Sequence, residues 1–244
     1  MIVEYSRDPS FLSNAWVVGD EPGGRAVLID AGAPREPLER VLRERRLRLT
    51  HVLLTHAHGD HTVHAEAIAS AHGAELLGHA DERFARLDRT ISDGDELRSG
   101  ELRIRVLHVP GHTVGQLAFS IDGVGVFTGD TLFRGTVGGT CGPGHGTFAQ
   151  LRHSIEDRLF ALPEDLAVYP GHMDPTTIGS EREHNPFARL WSGKVEPAGS
   201  RCTALGRPAT LMLRAPDYDG GTKCQVRWED GTEDVVPGSR VHDA

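Results

Sequence analysis

The sequence has few cysteines, few lysines and no long apolar run. Three cysteines among 244 residues, with no CxxC pair, argue against a disulfide scaffold and a thiolate zinc knuckle. No apolar stretch approaches the ~20 residues that cross a bilayer, and the N-terminus lacks the basic and apolar segments of a signal peptide. We therefore expect a cytoplasmic protein with no membrane partner.

Basic charge is also scarce relative to acidic charge. The chain has 26 Lys and Arg residues against 35 Asp and Glu, which gives a formal net charge of -9. Such a chain has no general cationic field for phosphate contacts, so we expect no nucleic-acid partner. Hydrophobic residues make up 38% and charged residues 25%, a composition typical of a globular protein that buries a sizeable core.

The pattern of elements divides the chain into two parts. In residues 1–193, short strand-like runs such as NAWVVG, RAVLID and HVLLT alternate with helical patterns, which predicts an α/β domain. Residues 194–207 lose periodicity and are interpreted as a linker. Residues 208–244 contain three short β-like runs and a hairpin signal at Asp230-Gly231. So short a β-domain could not bury much core alone, and we expect it to pack on the larger domain or on another subunit.

Histidine is the residue in excess, with fourteen in the chain. The densest group is HAHGDH, which supplies His56, His58, Asp60 and His61 between a predicted strand and a predicted helix. Imidazole and carboxylate groups suit a cation such as zinc, and the carboxyl end of a strand is a usual place for a site. A solvated turn that happens to be rich in histidine is the alternative, but three His and one Asp within six residues disfavour it.

Three further predicted strand ends carry a residue able to bind a metal. His112 follows the strand ending at Val109, and Asp130 and His172 each follow a later strand. A glycine precedes each of them and permits close approach of the backbone. Four strand ends that deliver such residues predict one shared metal site.

These motifs resemble a known family. HAHGDH, GHT, GD and GH occur in the order found in the metallo-β-lactamase fold superfamily. GDTLFRGTVGG, YPGH, PTTIGSER and HNPF are similar to the short bacterial hydrolases related to type II glyoxalase, over roughly residues 1–191. The resemblance implies an α/β fold, an αββα sandwich with the site at one edge of the paired sheets, followed here by the small C-terminal β-domain. That last segment weakly resembles an SH3-like barrel.

The resemblance also assigns the ligands. It implies one metal ion on His56, His58 and His112, a second on Asp60, His61 and His172, and Asp130 as a bridge between them. Seven donors suit two ions that share a carboxylate and a water. We expect zinc first, with iron or manganese as alternatives. Two ions ~3.5–4 Å apart can activate water and polarise a carbonyl, and Asp60 and Asp130 are the expected catalytic residues.

The function implied is hydrolysis of a thioester or related activated acyl compound, with a bridging hydroxide as nucleophile. The thioester comes from the resemblance alone, and the partner would be a small acyl or thiol-conjugate substrate. Arg134 and His145 flank a glycine-rich loop and are candidate substrate-binding residues, although a surface role fits them equally well. Related sequences read GR-(S/T)-D where this chain has Gly139-Thr140-Cys141, so we expect a remodelled loop.

Two other functions stay open. A mononuclear iron persulfide dioxygenase would use His56, His112 and Asp130 on the same framework, and oxygen uptake and iron content would distinguish it. A non-catalytic, metal-loaded binding module acting through the C-terminal domain is the third. An intact set of seven candidate ligands disfavours that module, because a pure scaffold needs no open metal site. The sequence carries no signal for an oligomeric state.

Overall fold

The N-terminal sheet of the computed structural model, which describes residues 1–243, has six strands in chain order. They are β1 (Ile2–Arg7), β2 (Asn14–Gly19), β3 (Arg25–Ile29), β4 (Arg48–Leu53), β5 (Glu75–Gly78) and β6 (Arg89–Thr90). From β3 onward the strands pair in parallel, which requires crossover connections. The helix α1 (Arg35–Glu44) joins β3 to β4, and α2 (Gly59–Thr62) and α3 (Ala65–His72) join β4 to β5.

The next part of the chain forms a second sheet, a small hairpin and three helices. Its strands are β7 (Glu96–Ser99), β8 (Leu102–His108), β9 (Leu117–Ile121), β10 (Gly125–Gly129), β11 (Leu132–Phe133), β12 (Thr136–Val137), β13 (Ala167–Pro170) and β14 (Thr176–Thr177). The sheet order is β14-β13-β10-β9-β8-β7, and β11 pairs only with β12. The helices are α4 (Phe148–His153), continued by a π-helical segment Ser154–Leu159, α5 (Ile178–His184) and α6 (Pro186–Trp191). Thr147 caps α4 in a capping box with Gln150, a pattern typical of a helix N-terminus.

The two sheets pack face to face and carry helices on their outer faces. On β3, Val27 and Ile29 belong to the apolar core between the sheets together with Phe119. The alternate residue Leu28 instead contacts the layer that contains Leu38 of α1. Successive strand residues point to opposite faces, and burial of both faces explains why this strand is apolar throughout. The predicted αββα sandwich is confirmed.

A separate five-stranded sheet follows. Its strands are β15 (Ser200–Ala204), β16 (Arg207–Pro216), β17 (Thr222–Trp228), β18 (Glu233–Pro237) and β19 (Val241–Asp243), in the order β18-β17-β16-β15-β19. The hairpin predicted at Asp230-Gly231 joins β17 to β18. The linker predicted at 194–207 is too long, because β15 lies within it and pairs with β16. Only Cys202 and Ala204 of β15 are buried, too short an alternation to stand out in the sequence. The resemblance to an SH3-like barrel stays a prediction.

The helices are short. The longest of those named, α1, has 10 residues. Within residues 1–243, no helix is both long and apolar enough to cross a lipid bilayer.

Candidate metal centre

The seven predicted metal-binding residues converge at the ends of four strands. HAHGDH follows β4 and runs into α2, while His112 lies beyond β8. Asp130 directly follows β10, and His172 follows β13. Because β10 and β13 are parallel neighbours, their carboxyl ends lie at the same edge of the sheet.

The first group consists of His56, His58 and His112. His58 Nδ1 lies 2.9 Å from His56 Nε2 and 3.1 Å from His112 Nε2. Three imidazole nitrogens this close repel one another through their lone pairs unless protons or a cation lie between them. Such a cluster of nitrogen donors matches a cation such as zinc.

The second group consists of Asp60, His61 and His172. The two imidazole Nε2 atoms lie 3.3 Å apart. Asp60 Oδ2 is 3.5 Å from His61 Nε2 and 3.6 Å from His172 Nε2. This arrangement gives the second group one carboxylate oxygen and two ring nitrogens as donors.

Asp130 lies between the two groups. Its Oδ2 is 3.6 Å from His112 Nε2 in the first group and 3.3 Å from His172 Nε2 in the second. Its Oδ1 lies 3.3 Å from His61 Nε2. That oxygen is buried and has no hydrogen-bond partner among the residues that the structure describes. Buried polar atoms normally have partners, so this unsatisfied oxygen fits a carboxylate that holds a metal.

In each of the five histidines, the ring nitrogen that points away from the neighbouring ligands lies beside an oxygen atom. These pairs are His56 Nδ1 with Thr55 Oγ1 at 3.0 Å, and His58 Nε2 with Pro143 O, His61 Nδ1 with Asp30 Oδ2, His112 Nδ1 with Gly139 O and His172 Nδ1 with Phe11 O, all at 2.9 Å. A carbonyl or carboxylate oxygen accepts a hydrogen bond from the ring nitrogen that it faces, so that nitrogen carries the proton. Such partners set the tautomer and leave the inward nitrogen free to bind a cation.

The pKa shifts follow from burial and from the carboxylates. Burial lowers the pKa of His112 to about 4, against the pull of Asp130, and burial together with His61 holds the pKa of His56 well below its ordinary value. At His61 burial also opposes protonation, but the Asp130 and Asp30 carboxylates outweigh it and raise the pKa to about 10. Burial disfavours the ionised form of Asp130, yet His172 and His61 hold its pKa well below the usual range. At neutral pH the metal-free site therefore holds His56 and His112 as neutral imidazoles, His61 as a protonated imidazolium and Asp130 as an ionised carboxylate.

Two glycines allow the ligand-bearing loops to pack closely. A Cβ at Gly171 would collide with the Asp130 carboxylate and the His61 ring. A Cβ at Gly111 would collide with the backbone of Leu151, and its φ of 139° also favours glycine. The glycines before His172 and His112 therefore permit the close approach that the sequence predicts.

The comparison with known proteins identifies the family. A family model of the metallo-beta-lactamase superfamily matches residues 9–172. The chain belongs to this superfamily.

Two relatives illustrate the similarity in sequence. An uncharacterized protein of Mycobacterium leprae is 36% identical over 202 residues, which cover 71% of this chain and 92% of the relative. A hydroxyacylglutathione hydrolase of Rhodobacter capsulatus is 32% identical over 235 residues and covers 89% of each chain.

Two solved structures share the fold. ETHE1 from Myxococcus xanthus superposes with a TM-score of 0.68 at 34% identity, covering 76% of this chain and 84% of that one. TTHA1623 in a di-iron-bound form gives a TM-score of 0.65 at 32% identity, covering 77% of this chain and all of that one (100%). The second of these relatives binds two iron ions on the same fold.

The two candidate substrate residues lie apart from each other. Arg134, in the turn between β11 and β12, has a side chain 66% exposed and lies 4.0 Å from Asp174. His145 lines a surface pocket together with His58 and Arg83. A different pocket, of about 240 Å³, opens directly onto His112 and Asp130, and neither candidate lines it.

The pocket over His112 and Asp130 is lined by two residues that the sequence analysis did not identify. Tyr218 and Lys223 of the C-terminal sheet region line it together with Phe133. A weak signal was available, because Lys223 is one of only two lysines in an arginine-rich chain. Nothing in the local pattern indicates, however, that its side chain reaches the ligands near residue 112.

Proposed function

We propose that this member of the superfamily is a hydrolase that uses two divalent metal ions. The observation that carries the proposal is the position of Asp130, whose carboxylate oxygens face nitrogen donors of both groups. The proposed ligands are His56, His58 and His112 for one ion, Asp60, His61 and His172 for the other, and Asp130 for both. The nitrogen-rich donor set favours zinc, and the di-iron relative makes iron the first alternative.

The proposed substrate is a thioester or a related activated acyl compound of low molecular weight. Support comes from the similarity to a hydroxyacylglutathione hydrolase that extends over 89% of both chains. Two bound cations would supply an activated water and polarise the acyl oxygen. The chain itself holds the donors in place through the oxygen partners of the five histidines, and keeps Asp130 ionised. Asp60, less buried than Asp130, would orient the attacking water.

The pocket over the site accommodates a small acyl group. It measures about 240 Å³ and opens onto His112 and Asp130, so a short acyl chain fits inside it and a longer chain would extend out of it.

The test combines metal analysis with a substrate panel. Plasma emission analysis of protein purified without chelator should approach two ions per chain, and short-chain thioesters of glutathione and N-acetylcysteamine should be hydrolysed. Oxygen esters of the same acids serve as comparison substrates. A firm value of one ion after reconstitution would rule out the two-ion site, and the absence of turnover on every thioester would rule out the substrate class.

A persulfide dioxygenase with one iron on His56, His112 and Asp130 is the second candidate. The similarity to ETHE1 at 34% identity and the iron bound by TTHA1623 support this second candidate. The complete second group of Asp60, His61 and His172 favours the two-ion hydrolase instead. Oxygen consumption with glutathione persulfide, measured on protein that contains one iron per chain, would favour the dioxygenase over the two-ion hydrolase.

A further inference from the structure

The C-terminal sheet packs firmly against the metal-binding domain. Val235 of β18 and Ala215 of β16 are buried in the same apolar cluster as Leu151 of α4. Trp191 Nε1, at the end of α6, donates a hydrogen bond to Gln225 Oε1 of β17 at 2.8 Å. Because buried apolar and polar contacts both cross this boundary, the sheet has a defined position relative to the metal centre.

The sheet also holds the loop that covers the pocket. Thr140 N donates to Val235 O at 2.9 Å, and Val235 N donates back to Thr140 Oγ1 at 2.9 Å. Thr140 Oγ1 donates in turn to Asp234 Oδ1 at 2.8 Å. Thr140 belongs to the Gly139-Thr140-Cys141 segment that departs from related sequences, and Gly139 O is the partner of His112 Nδ1. The loop segment that carries Gly139 O is therefore held by hydrogen bonds to the C-terminal sheet.

Two side chains carried by this region enter the pocket. The Tyr218 ring stacks on the His172 ring, with centroids 4.3 Å apart and an interplanar angle of 15°. The Lys223 ammonium lies 5.2 Å from the Phe133 ring centroid and 5.1 Å from that of Tyr218. Part of the pocket wall beside the histidines thus comes from the C-terminal region.

Lys223 is buried but is not fully paired. Its side chain is 7% exposed, and its ammonium donates to Val137 O at 2.8 Å and pairs with Asp217 Oδ1 at 3.0 Å. An ammonium has three donors, so one N–H is left for a further acceptor. Among residues 1–243, Lys223 is the one Lys or Arg lining this pocket. Asp130, Asp217 and Asp219 line the same pocket, and two bound cations would offset these carboxylates. The remaining N–H of Lys223 can then donate a charge-assisted hydrogen bond to an anion.

We propose that Lys223 and Tyr218 form the specificity wall of the active site, and that the wall selects a thioester carrying a carboxylate. The free N–H of Lys223 binds that carboxylate, and the Tyr218 ring packs along the adjoining carbon chain. This inference rests on the proposed thioesterase activity and adds the charge of the substrate. The carboxylate can belong to the acyl group or to the thiol, and the substrates of the test distinguish these two sources.

The test uses three thioesters and the full-length, metal-loaded protein. Pentanoyl-N-acetylcysteamine is neutral, succinyl-N-acetylcysteamine has its carboxylate on the acyl side, and the pentanoyl thioester of 3-mercaptopropionate has it on the thiol side. We expect the wild type to prefer one of the two charged thioesters. In Lys223→Met, the ratio of kcat/KM for that thioester to kcat/KM for the neutral one should fall about 10- to 100-fold, the worth of a charge-assisted hydrogen bond.

Two further variants separate binding from folding. Lys223→Met with Asp217→Asn removes both buried charges and keeps an oxygen to accept the Tyr218 N–H bond seen at 2.9 Å. The charge preference should stay lost in this double variant. Lys194→Met, which removes an exposed ammonium bonded to Glu183 at 2.6 Å, is the matched control and should keep the preference. Recovery of the preference in the double variant, or an equal loss on all three thioesters, would assign Lys223 a structural role and overturn the proposal.

A binding measurement separates this inference from the proposed function. Calorimetry compares the non-hydrolysable thioethers S-butyl- and S-(3-carboxypropyl)-N-acetylcysteamine, with S-butyl-3-mercaptopropionate for the thiol side. Tighter binding of one charged thioether, lost in Lys223→Met, supports the wall even if no thioester is hydrolysed. Equal affinity of the three thioethers for the wild type, or a charged thioether whose affinity is the same in Lys223→Met, overturns the wall and leaves the hydrolase proposal standing.

Discussion

Replacing Asp30 by Asn should weaken metal binding without disturbing the backbone. Asp30 Oδ2 faces His61 Nδ1 at 2.9 Å, and both side chains are at most 2% exposed. An Asn can keep the bond that Oδ1 accepts from Thr55 N, but its NH₂ group cannot accept a hydrogen bond from His61 Nδ1. The φ of 57° at residue 30 is a conformation that Asn tolerates well.

The size of the effect follows from the lost partner. Loss of an oxygen that orients a ligating histidine lowers metal affinity about 10- to 100-fold. The metal-free protein should lose about 1.5–3 kcal/mol of unfolding free energy, typical of a buried hydrogen bond to a charged group. Asp30→Ala should cost more, because it also removes both bonds that Thr55 donates to the carboxylate.

The measurement is competition with a chromophoric chelator, together with urea unfolding of chelator-treated protein. Asp93→Asn is the control, since Asp93 is a half-exposed carboxylate hydrogen-bonded to Arg158 and to His108 N and lies outside the ligand set. Wild-type metal affinity in Asp30→Asn would refute the reasoning that this carboxylate sets the tautomer of His61.

Four further predictions concern the ligands and the C-terminal region. Asp130→Ala should lose at least one ion by emission analysis and at least ~10³-fold in kcat/KM on the preferred thioester, and turnover near wild type would contradict its bridging position. Because the pKa of His61 is about 10 in the metal-free site, metal loading at pH 8 should release about one proton from it, measured by calorimetry in buffers of different ionisation enthalpy; no release would contradict the protonated state. Protonation of His61 also stabilises the metal-free fold. This contribution to the free energy of unfolding should be complete below pH 6.5, the ordinary pKa of histidine, and should be lost as the pH rises through about 10. A chain ending at Ser192 should keep two ions but lose solubility, since it uncovers the cluster around Leu151; a folded truncation without metals would contradict the proposed domain division.

Much of the metal centre was predictable because its donors are encoded locally. HAHGDH places four donors within six residues, and a strand-to-helix turn brings them to one point. The glycines before His112 and His172 mark close backbone approach, which the structure requires at Gly171. The helix cap at Thr147 is likewise a property of four consecutive residues. Such patterns depend on residues only a few positions apart, so they can be recognised from the sequence without knowledge of the tertiary structure.

Only the tertiary structure decided what surrounds those donors. The oxygen facing His172 Nδ1 is the carbonyl of Phe11, 161 residues away. Because every residue type has a backbone carbonyl, the sequence gives no signal for this partner. Lys223 reaches Val137 O across 86 residues of sequence, and Tyr218 stacks on His172 from a turn between two C-terminal strands. These contacts depend on how the C-terminal sheet packs on the sandwich, a relation that no local periodicity records. The sequence by itself therefore determined the candidate ligands of the site, whereas domain packing determined which C-terminal residues line the pocket beside them.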